Sequence, residues 1–228
     1  MHQMIGLAIG AVLFLITHLV PGIPAVRRYM IASLGEGAYR ALFSLVALFS
    51  LGILIWGYGQ APYVPLWDGS GALRHLAFTL MLFAVAFAVL GLTQRNPTMA
   101  GADAAGAPAP KAVGVLKITR HPLMWGIMIW AVAHVLANGD LATTILGVTI
   151  FIVAFAGSRL IEIRKRRDMP VSWMLFAAAS SYIPFAAVFA GKAKGAFAEI
   201  AWWRWLVALV VYGALFAGHR WIAGVPLM

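Results

Sequence analysis

Long apolar runs recur along the chain, and short segments rich in Pro, Gly or charged residues separate them. A helix rises 1.5 Å per residue, so runs of about 17 to 25 apolar residues match the roughly 30 Å hydrocarbon core of a bilayer. The run 77–92 is apolar on every face, whereas a membrane β-barrel needs strands that alternate between apolar and polar positions. The pattern predicts transmembrane helices at 4–20, 41–58, 73–92, 122–137, 141–158 and 205–223.

Composition supports this interpretation. The chain has 228 residues, of which 63% are hydrophobic and only 11% are charged, while soluble domains carry about 25% charged residues. So few charges cannot cover a water-facing surface. The sequence therefore predicts an all-α polytopic transmembrane bundle of an inner membrane, with about six spans in one domain over 1–228.

A seventh apolar stretch, 171–190, contains serines and a late proline. With six spans, the segments 21–40, 93–121 and 159–204 share one side and hold every Lys and Arg except Arg74 and Arg220. A true span at 171–190 weakens this asymmetry, because it moves three basic residues to the outer side. We therefore expect 171–190 to be interfacial or re-entrant and both termini to lie outside.

Two connections have their own signature. Residues 96–112 are rich in Ala, Gly and Pro without a helical pattern, which predicts a flexible cytoplasmic linker. Asn138, Gly139 and Asp140 predict a tight turn that joins two spans as a hairpin. The net charge of +10 comes from residues that flank the spans, so nucleic acid is not an expected partner.

Histidines dominate the candidate chemistry. The chain has six of them and no cysteine, which excludes disulfides, thiolate sites and covalently attached c-type haem. Carboxylates are scattered, and no span carries a His-x-x-x-His spacing, so neither a paired-carboxylate site nor a metal site without porphyrin is predicted. Two histidines from different helices suffice for haem b; a histidine at a headgroup boundary or in a hydrogen bond between helices is the structural alternative.

Depth constrains which histidines can share one iron. On the predicted topology, His18 and His121 lie near the cytoplasmic side, whereas His134 and His75 lie near the outer side. His121 and His134 are 13 residues apart, roughly 20 Å along a helix. The pair His18 and His134 is therefore disfavoured by depth.

The fourth predicted span opens with Thr119, Arg120, His121 and Pro122. Pro122 suits the first position of a helix, and Arg120 can extend to the interface, which gives the segment a purely structural role. In the functional alternative, Arg120 pairs with an anionic group such as a haem propionate or a phosphate, with His121 beside it.

An extended motif adds a family resemblance. The run Arg120-His121-Pro122-Leu123-Met124-Trp125-Gly126, followed by Trp130, Ala133-His134 and Ala137-Asn138-Gly139-Asp140, resembles the core motif of the NnrU family. His18, the segment 37–40, the segment 180–185 and Gly191-Lys192 are similar to the rest of its pattern. A shorter resemblance, through Arg-His-Pro alone, is to membrane methyltransferases; those generally follow it with a paired-glutamate motif, and only Glu162 is found here.

The NnrU resemblance implies a function. That family includes bacterial proteins associated with nitrite and nitric oxide reduction and plant-type 15-cis-zeta-carotene isomerases that bind haem b. The isomerase ligands correspond to His18 and His134, and His121 stays beside them as a candidate together with Arg120. Ala131 stands where the isomerases have a cysteine three residues before the second ligand, so a thiol ligand switch is absent.

We therefore expect a haem b-binding membrane protein linked to denitrification or related redox metabolism. A haem-dependent isomerase of a lipophilic carotenoid and a non-enzymatic assembly partner of a reductase are the alternatives. Whether the protein is an enzyme stays open at this point.

Overall fold

A computed structural model describes residues 2–99, 102, 111–225 and 227. These residues form ten helices and no strand, with one isolated β-bridge between Pro65 and Asp140. The prediction of an all-helical fold is confirmed. The helices are α1 His2–Leu19, α2 Pro24–Leu34, α3 Glu36–Gln60, α4 Ala72–Thr93, α5 Val115–Ile118, α6 Pro122–Asn138, α7 Leu141–Asp168, α8 Pro170–Ala178, α9 Ala186–Phe189 and α10 Trp202–Ala223.

Four helices, α3, α4, α7 and α10, are long and apolar enough to cross a membrane. A fifth candidate is α1 together with α2, which bends by 74° at the break between them. Helix α6 is apolar but has only 17 residues. The structure thus supports a helical membrane protein with four to five clear spans, whereas the predicted number of about six is not confirmed by length and composition.

The observed helix ends differ most from the predicted ends where a charged residue was taken to end a helix. Helix α7 continues ten residues past the predicted end at 158, to Asp168, because Arg and Lys are good helix formers once the helix has left an apolar region. At the other end of α7, Asp140 Oδ1 accepts the Thr143 amide at 3.0 Å, which caps the helix.

The stretch 171–190 is not one helix. It is divided between α8, with nine residues, and α9, with four, and residues 179–185 between them are not helical. Nine residues span only about 14 Å, so neither piece crosses a bilayer. Whether the stretch is interfacial or re-entrant stays a prediction.

The chain divides into two compact units: unit 1 comprises Met1–Ala77 and Ala131–Asp168, and unit 2 comprises Phe78–Trp130 and Met169–Met228. In unit 1, α1 and α3 pack closely because glycines face backbone: a Cβ on Gly10 would lie 2.9 Å from the Leu54 Cα. The core there joins Leu7, Phe14 and Leu54.

Unit 2 has its own core of buried apolar residues from α4, α5, α8 and α9, among them Leu116, Trp173 and Phe176. The predicted linker begins in this unit, and its first residues are packed: Asn96 and Thr98 are buried, and the Thr98 hydroxyl donates to the Arg120 carbonyl at 3.2 Å. Residues 100, 101 and 103–110 of that linker lie outside the described residues.

Candidate functional site

His18 lies in the last turn of α1, in unit 1, and is half-buried. Its Nδ1 is 2.9 Å from the Phe14 carbonyl oxygen. A carbonyl only accepts, so Nδ1 carries the proton and Nε2 keeps its lone pair. The imidazole packs against the rings of Phe14 and Phe43, with centroid distances of 3.9 and 5.9 Å. This is an apolar environment that presents one basic nitrogen.

A polar contact between α1 and α3 fixes the helix turn that carries His18. The Thr17 hydroxyl lies 2.9 Å from the Ser50 hydroxyl, and Ser50 is fully buried. Thr17 also lies 2.8 Å from the Leu13 carbonyl. Buried hydroxyls with satisfied hydrogen bonds hold the two helices in one register, so the position of the His18 ring is set by packing and not by a surface loop.

His134 lies on α6 in the same unit and is also half-buried. Its carbonyl accepts a hydrogen bond from the Asn138 side chain at 2.8 Å. The next residue, Val135, contacts Gly147 of α7 so closely that a Cβ on that glycine would overlap the valine side chain. His134 is therefore level with Gly147, in the first third of α7.

The two histidines lie at different levels along α7. Gly22, four residues after His18, meets Leu160 of α7, with 3.3 Å between the glycine's Cβ position and the leucine methyl. Gly147 and Leu160 are 13 residues apart, about 20 Å along α7, so the contacts near His18 and near His134 lie at different levels of that helix.

Arg120 and His121 lie in unit 2, where they meet a segment more than 55 residues further along the chain. We call residues 119–122 the Arg-His-Pro segment and residues 179–185 the serine–tyrosine loop. The Arg120 guanidinium donates from Nη1 to the carbonyls of Ala177 and Ser180, at 3.4 and 3.2 Å. These carbonyls lie at the C-terminal end of α8, where a positive charge also complements the helix dipole.

His121 is 1% exposed and its ring meets the edge of Tyr182, with 5.5 Å between centroids. The Tyr182 carbonyl accepts from the Thr119 hydroxyl and from the Trp125 indole N–H, both at 2.8 Å. The Ser181 carbonyl accepts the Arg120 amide at 2.8 Å. The Arg-His-Pro segment and the serine–tyrosine loop are thus in contact. Their separation in the sequence gives no indication of this contact.

These hydrogen bonds run mostly from side chains to backbone carbonyls. They hold the serine–tyrosine loop against the start of α6, and they give Arg120 a helix-capping role that neither interpretation from sequence included. Gly126, in the same motif, faces α4: a Cβ there would lie 2.7 Å from the Ala84 carbonyl. The motif therefore carries a large share of the packing of unit 2.

A second polar cluster supports the chain just before Arg120. Glu199 pairs with Lys117 and accepts the Gly114 amide at 2.9 Å, and Lys117 also donates to the Lys194 carbonyl at 3.0 Å. The hydrogen bond from Lys117, followed by that from the Gly114 amide, lowers the pKa of the Glu199 carboxyl from its ordinary value of 4.5. Sequence reasoning missed this cluster, because its bonded partners are 77 to 85 residues apart.

No group of three or more His, Cys, Asp or Glu side chains that could hold a metal ion occurs in the part of the chain that the structure describes. Glu162 and Lys165 on α7 are charged residues whose burial was not predicted from sequence. Their spacing of three on one helix was the available signal.

Apolar helices of membrane-spanning length define this chain as an integral membrane protein of the helical type. A family model described as NnrU protein matches residues 6–227, nearly the whole chain. The chain belongs to the NnrU family, as the motif resemblance predicted. No curated protein and no solved structure matches it.

The family resemblance implies a b-type haem. His18 fits as one axial ligand, because its protonated Nδ1 is bonded and its Nε2 is the basic nitrogen. Whether His18 and His134 hold one iron stays a prediction.

Proposed function

We propose that this chain is a six-span protein of a bacterial inner membrane, with α1, α3, α4, α6, α7 and α10 as the spans. The length of α6 does not decide whether this helix crosses the membrane, but the connections of the chain support a crossing. The turn between α6 and α7 packs on the loop before α4, since the amides of Leu66 and Trp67 donate to the Gly139 carbonyl at 2.7 and 3.1 Å. If α4 carries the chain away from that side, α6 must return it.

Helix α10 supports the same topology. Trp202 and Trp203 lie at its start and Trp221 near its end, all exposed. Nineteen residues separate Trp202 from Trp221, about 29 Å along the helix, close to the roughly 30 Å hydrocarbon thickness. Tryptophans prefer the two membrane interfaces, so their spacing suits a helix that crosses fully.

Single-cysteine labelling tests the topology cleanly, because the chain has no cysteine of its own. With a membrane-impermeant maleimide on intact spheroplasts, we expect Tyr63→Cys to be labelled from outside and Ser33→Cys only after permeabilisation. Both positions are exposed. Labelling of both from the same side would contradict the proposal.

We further propose that the protein binds haem b through His18 and supports nitrogen-oxide reduction or a related redox process in the membrane. This proposal rests on the His18 imidazole, whose Nδ1 donates to the Phe14 carbonyl and which packs against apolar rings. When bound, a b-type haem supplies one-electron redox chemistry. Thr17 and Ser50 would hold the ligand helix in register, and the Phe14 and Phe43 rings would keep water from the ligand side of the site.

A pyridine-haemochrome spectrum of the detergent-purified protein tests this proposal. We expect a b-type spectrum in the wild type, its loss in His18→Ala and partial recovery with added imidazole. His75→Ala is a matched control, because His75 has the same Nδ1 contact with a backbone carbonyl, at 2.8 Å from Gly71, but is exposed. Full haem content in His18→Ala would contradict the assignment.

A non-enzymatic assembly partner of a reductase is the second candidate. The observation that favours it is the use of Thr119, Arg120 and Trp125 as donors to backbone carbonyls, which gives the most specific family motif a structural task. A wild-type protein that is colourless, takes up no haem and co-purifies with a reductase would favour this role over the first.

A further inference from the structure

The end of unit 1 that contains α2 is strongly basic. Helix α2 has 11 residues, about 16 Å, and none of them is buried. It begins with Pro24 at its first position and turns 74° away from α1. A short helix that leaves a membrane span at such an angle is suited to lie along the membrane surface.

The outer face of α2 suits the interfacial layer of a membrane. Tyr29 is 75% exposed, and Leu34 and Ile23 are also exposed. Arg28 is exposed as well, whereas the Arg27 guanidinium lies over the Tyr39 ring, 5.5 Å from its centroid. Tyrosine and leucine at the depth of the headgroups, with arginines between them, are typical of in-plane helices.

Helix α7 brings more positive charge to the same end. Gly22 contacts Leu160, and the charges of Arg27 and Arg164 both act on the Tyr39 hydroxyl. Around this point lie seven arginines, the buried Lys165 and three carboxylates, Glu36, Glu162 and Asp168, which leave a net charge of +5. The arginines are Arg27, Arg28, Arg40, Arg159, Arg164, Arg166 and Arg167.

None of these carboxylates is open to a ligand: Glu162 is buried, and the other two are paired with arginines. Glu36 is paired with Arg27 at 3.4 Å and with Arg40 at 2.7 Å, and Asp168 is paired with Arg167 at 2.8 Å. Within the described residues, no ion pair joins Arg28 or Arg166 to a carboxylate, and both side chains are exposed. The guanidinium groups of these two arginines can therefore bind an anion from outside the protein.

We propose that α2 and the last two turns of α7 form a binding surface for anionic phospholipid headgroups. The membrane provides this partner in the leaflet that the basic residues face, and a phosphate diester with a negative charge complements the guanidinium groups. The surface is independent of haem binding. Its test in detergent solution also does not require a particular orientation in the membrane.

Native mass spectrometry of the full chain in a neutral detergent tests the proposal, with phosphatidylglycerol and phosphatidylcholine as the two probes. We expect the wild type to retain phosphatidylglycerol in preference to phosphatidylcholine. Each arginine near a membrane surface contributes about 1 kcal/mol, or about fivefold, so Arg28→Gln combined with Arg166→Gln should weaken phosphatidylglycerol binding by roughly 25-fold. Added salt should weaken it further.

Two controls separate charge recognition from general damage. Arg74→Gln removes an exposed arginine at the other end of unit 1 and should leave lipid binding unchanged. Arg28→Lys combined with Arg166→Lys keeps the charge and should retain most of the phosphatidylglycerol. Equal retention of the two lipids by the wild type, unchanged binding in the double Gln variant, or the same loss in the Arg74 variant would overturn the proposal.

Discussion

Gly139 occupies a turn that few other residues could adopt. Its φ is +66°, and a Cβ at this position would overlap the Trp67 carbonyl oxygen. The glycine carbonyl also accepts the amides of Leu66 and Trp67. In Gly139→Ala, the left-handed conformation costs about 1–2 kcal/mol. The displaced loop loses two hydrogen bonds at about 0.5–1.5 kcal/mol each, so we expect a total loss of about 2–5 kcal/mol.

Thermal unfolding in detergent, followed by tryptophan fluorescence, measures this loss. For a chain of this size, 1 kcal/mol corresponds to roughly 2–4 °C. Gly191→Ala is the matched control: Gly191 has a φ of +70°, and its Cβ would meet no atom within 4 Å, so only the conformational strain applies. We expect the fall in midpoint for Gly139→Ala to be more than twice that for Gly191→Ala. Equal falls would refute the argument that the loop is locked by close contact.

Three further predictions concern unit 2 and a control on α7. Gly126→Ala should lower the midpoint, because its Cβ meets the α4 backbone, whereas Gly157→Ala, with open space on a helix, should leave it unchanged or raise it. Glu199→Gln should lower the unfolding midpoint less at low pH than at neutral pH. The pKa of Glu199 in the folded protein is below 4.5, so its stabilising effect is present above pH 4.5 and is lost as the pH falls through the folded pKa. The gap in midpoint between wild type and variant should therefore shrink below pH 4.5, and a constant gap would contradict the pairing with Lys117. Arg120→Gln should cost about 1.5–3 kcal/mol and Arg120→Lys less, since lysine keeps a charge at the end of α8; equal losses would contradict the capping role.

The helices were predictable from sequence, and the reason is physical. Apolar runs of membrane length have no other stable state in a bilayer, so α3, α4, α7 and α10 follow directly from composition. The ends of these helices were predicted less well from the sequence. Helix α7 extends to Asp168 because charged residues stop a hydrocarbon span but do not stop a helix.

The candidate site was predictable only in part. The sequence named Arg120 and His121, but their neighbours Ser180 and Tyr182 come from a segment 60 residues away, and the hydrogen bonds there use backbone carbonyls. A carbonyl is present at every residue, so no residue type marks such a partner. The capping role of Arg120 therefore required the structure.

The relative depths of the histidines along the helices were easier to predict from sequence. The level difference between His18 and His134 could be argued from residue counts, and the contacts of Gly22 and Gly147 with α7 give the same order. The hydrogen bond from His18 to Phe14 was also available in principle, since a histidine in a last helical turn lies four residues after a carbonyl that has room for a second donor.

Haem content of His18→Ala and His134→Ala, measured side by side with the wild type by pyridine haemochrome, tests the central claim most directly. We predict a b-type haem in the wild type, its loss in His18→Ala and its retention in His134→Ala, because the proposal places the iron on His18 and the contacts near the two histidines lie at different levels of α7. Loss of haem in both variants would contradict binding through His18 without His134, and a wild-type protein that binds no haem would contradict the cofactor itself.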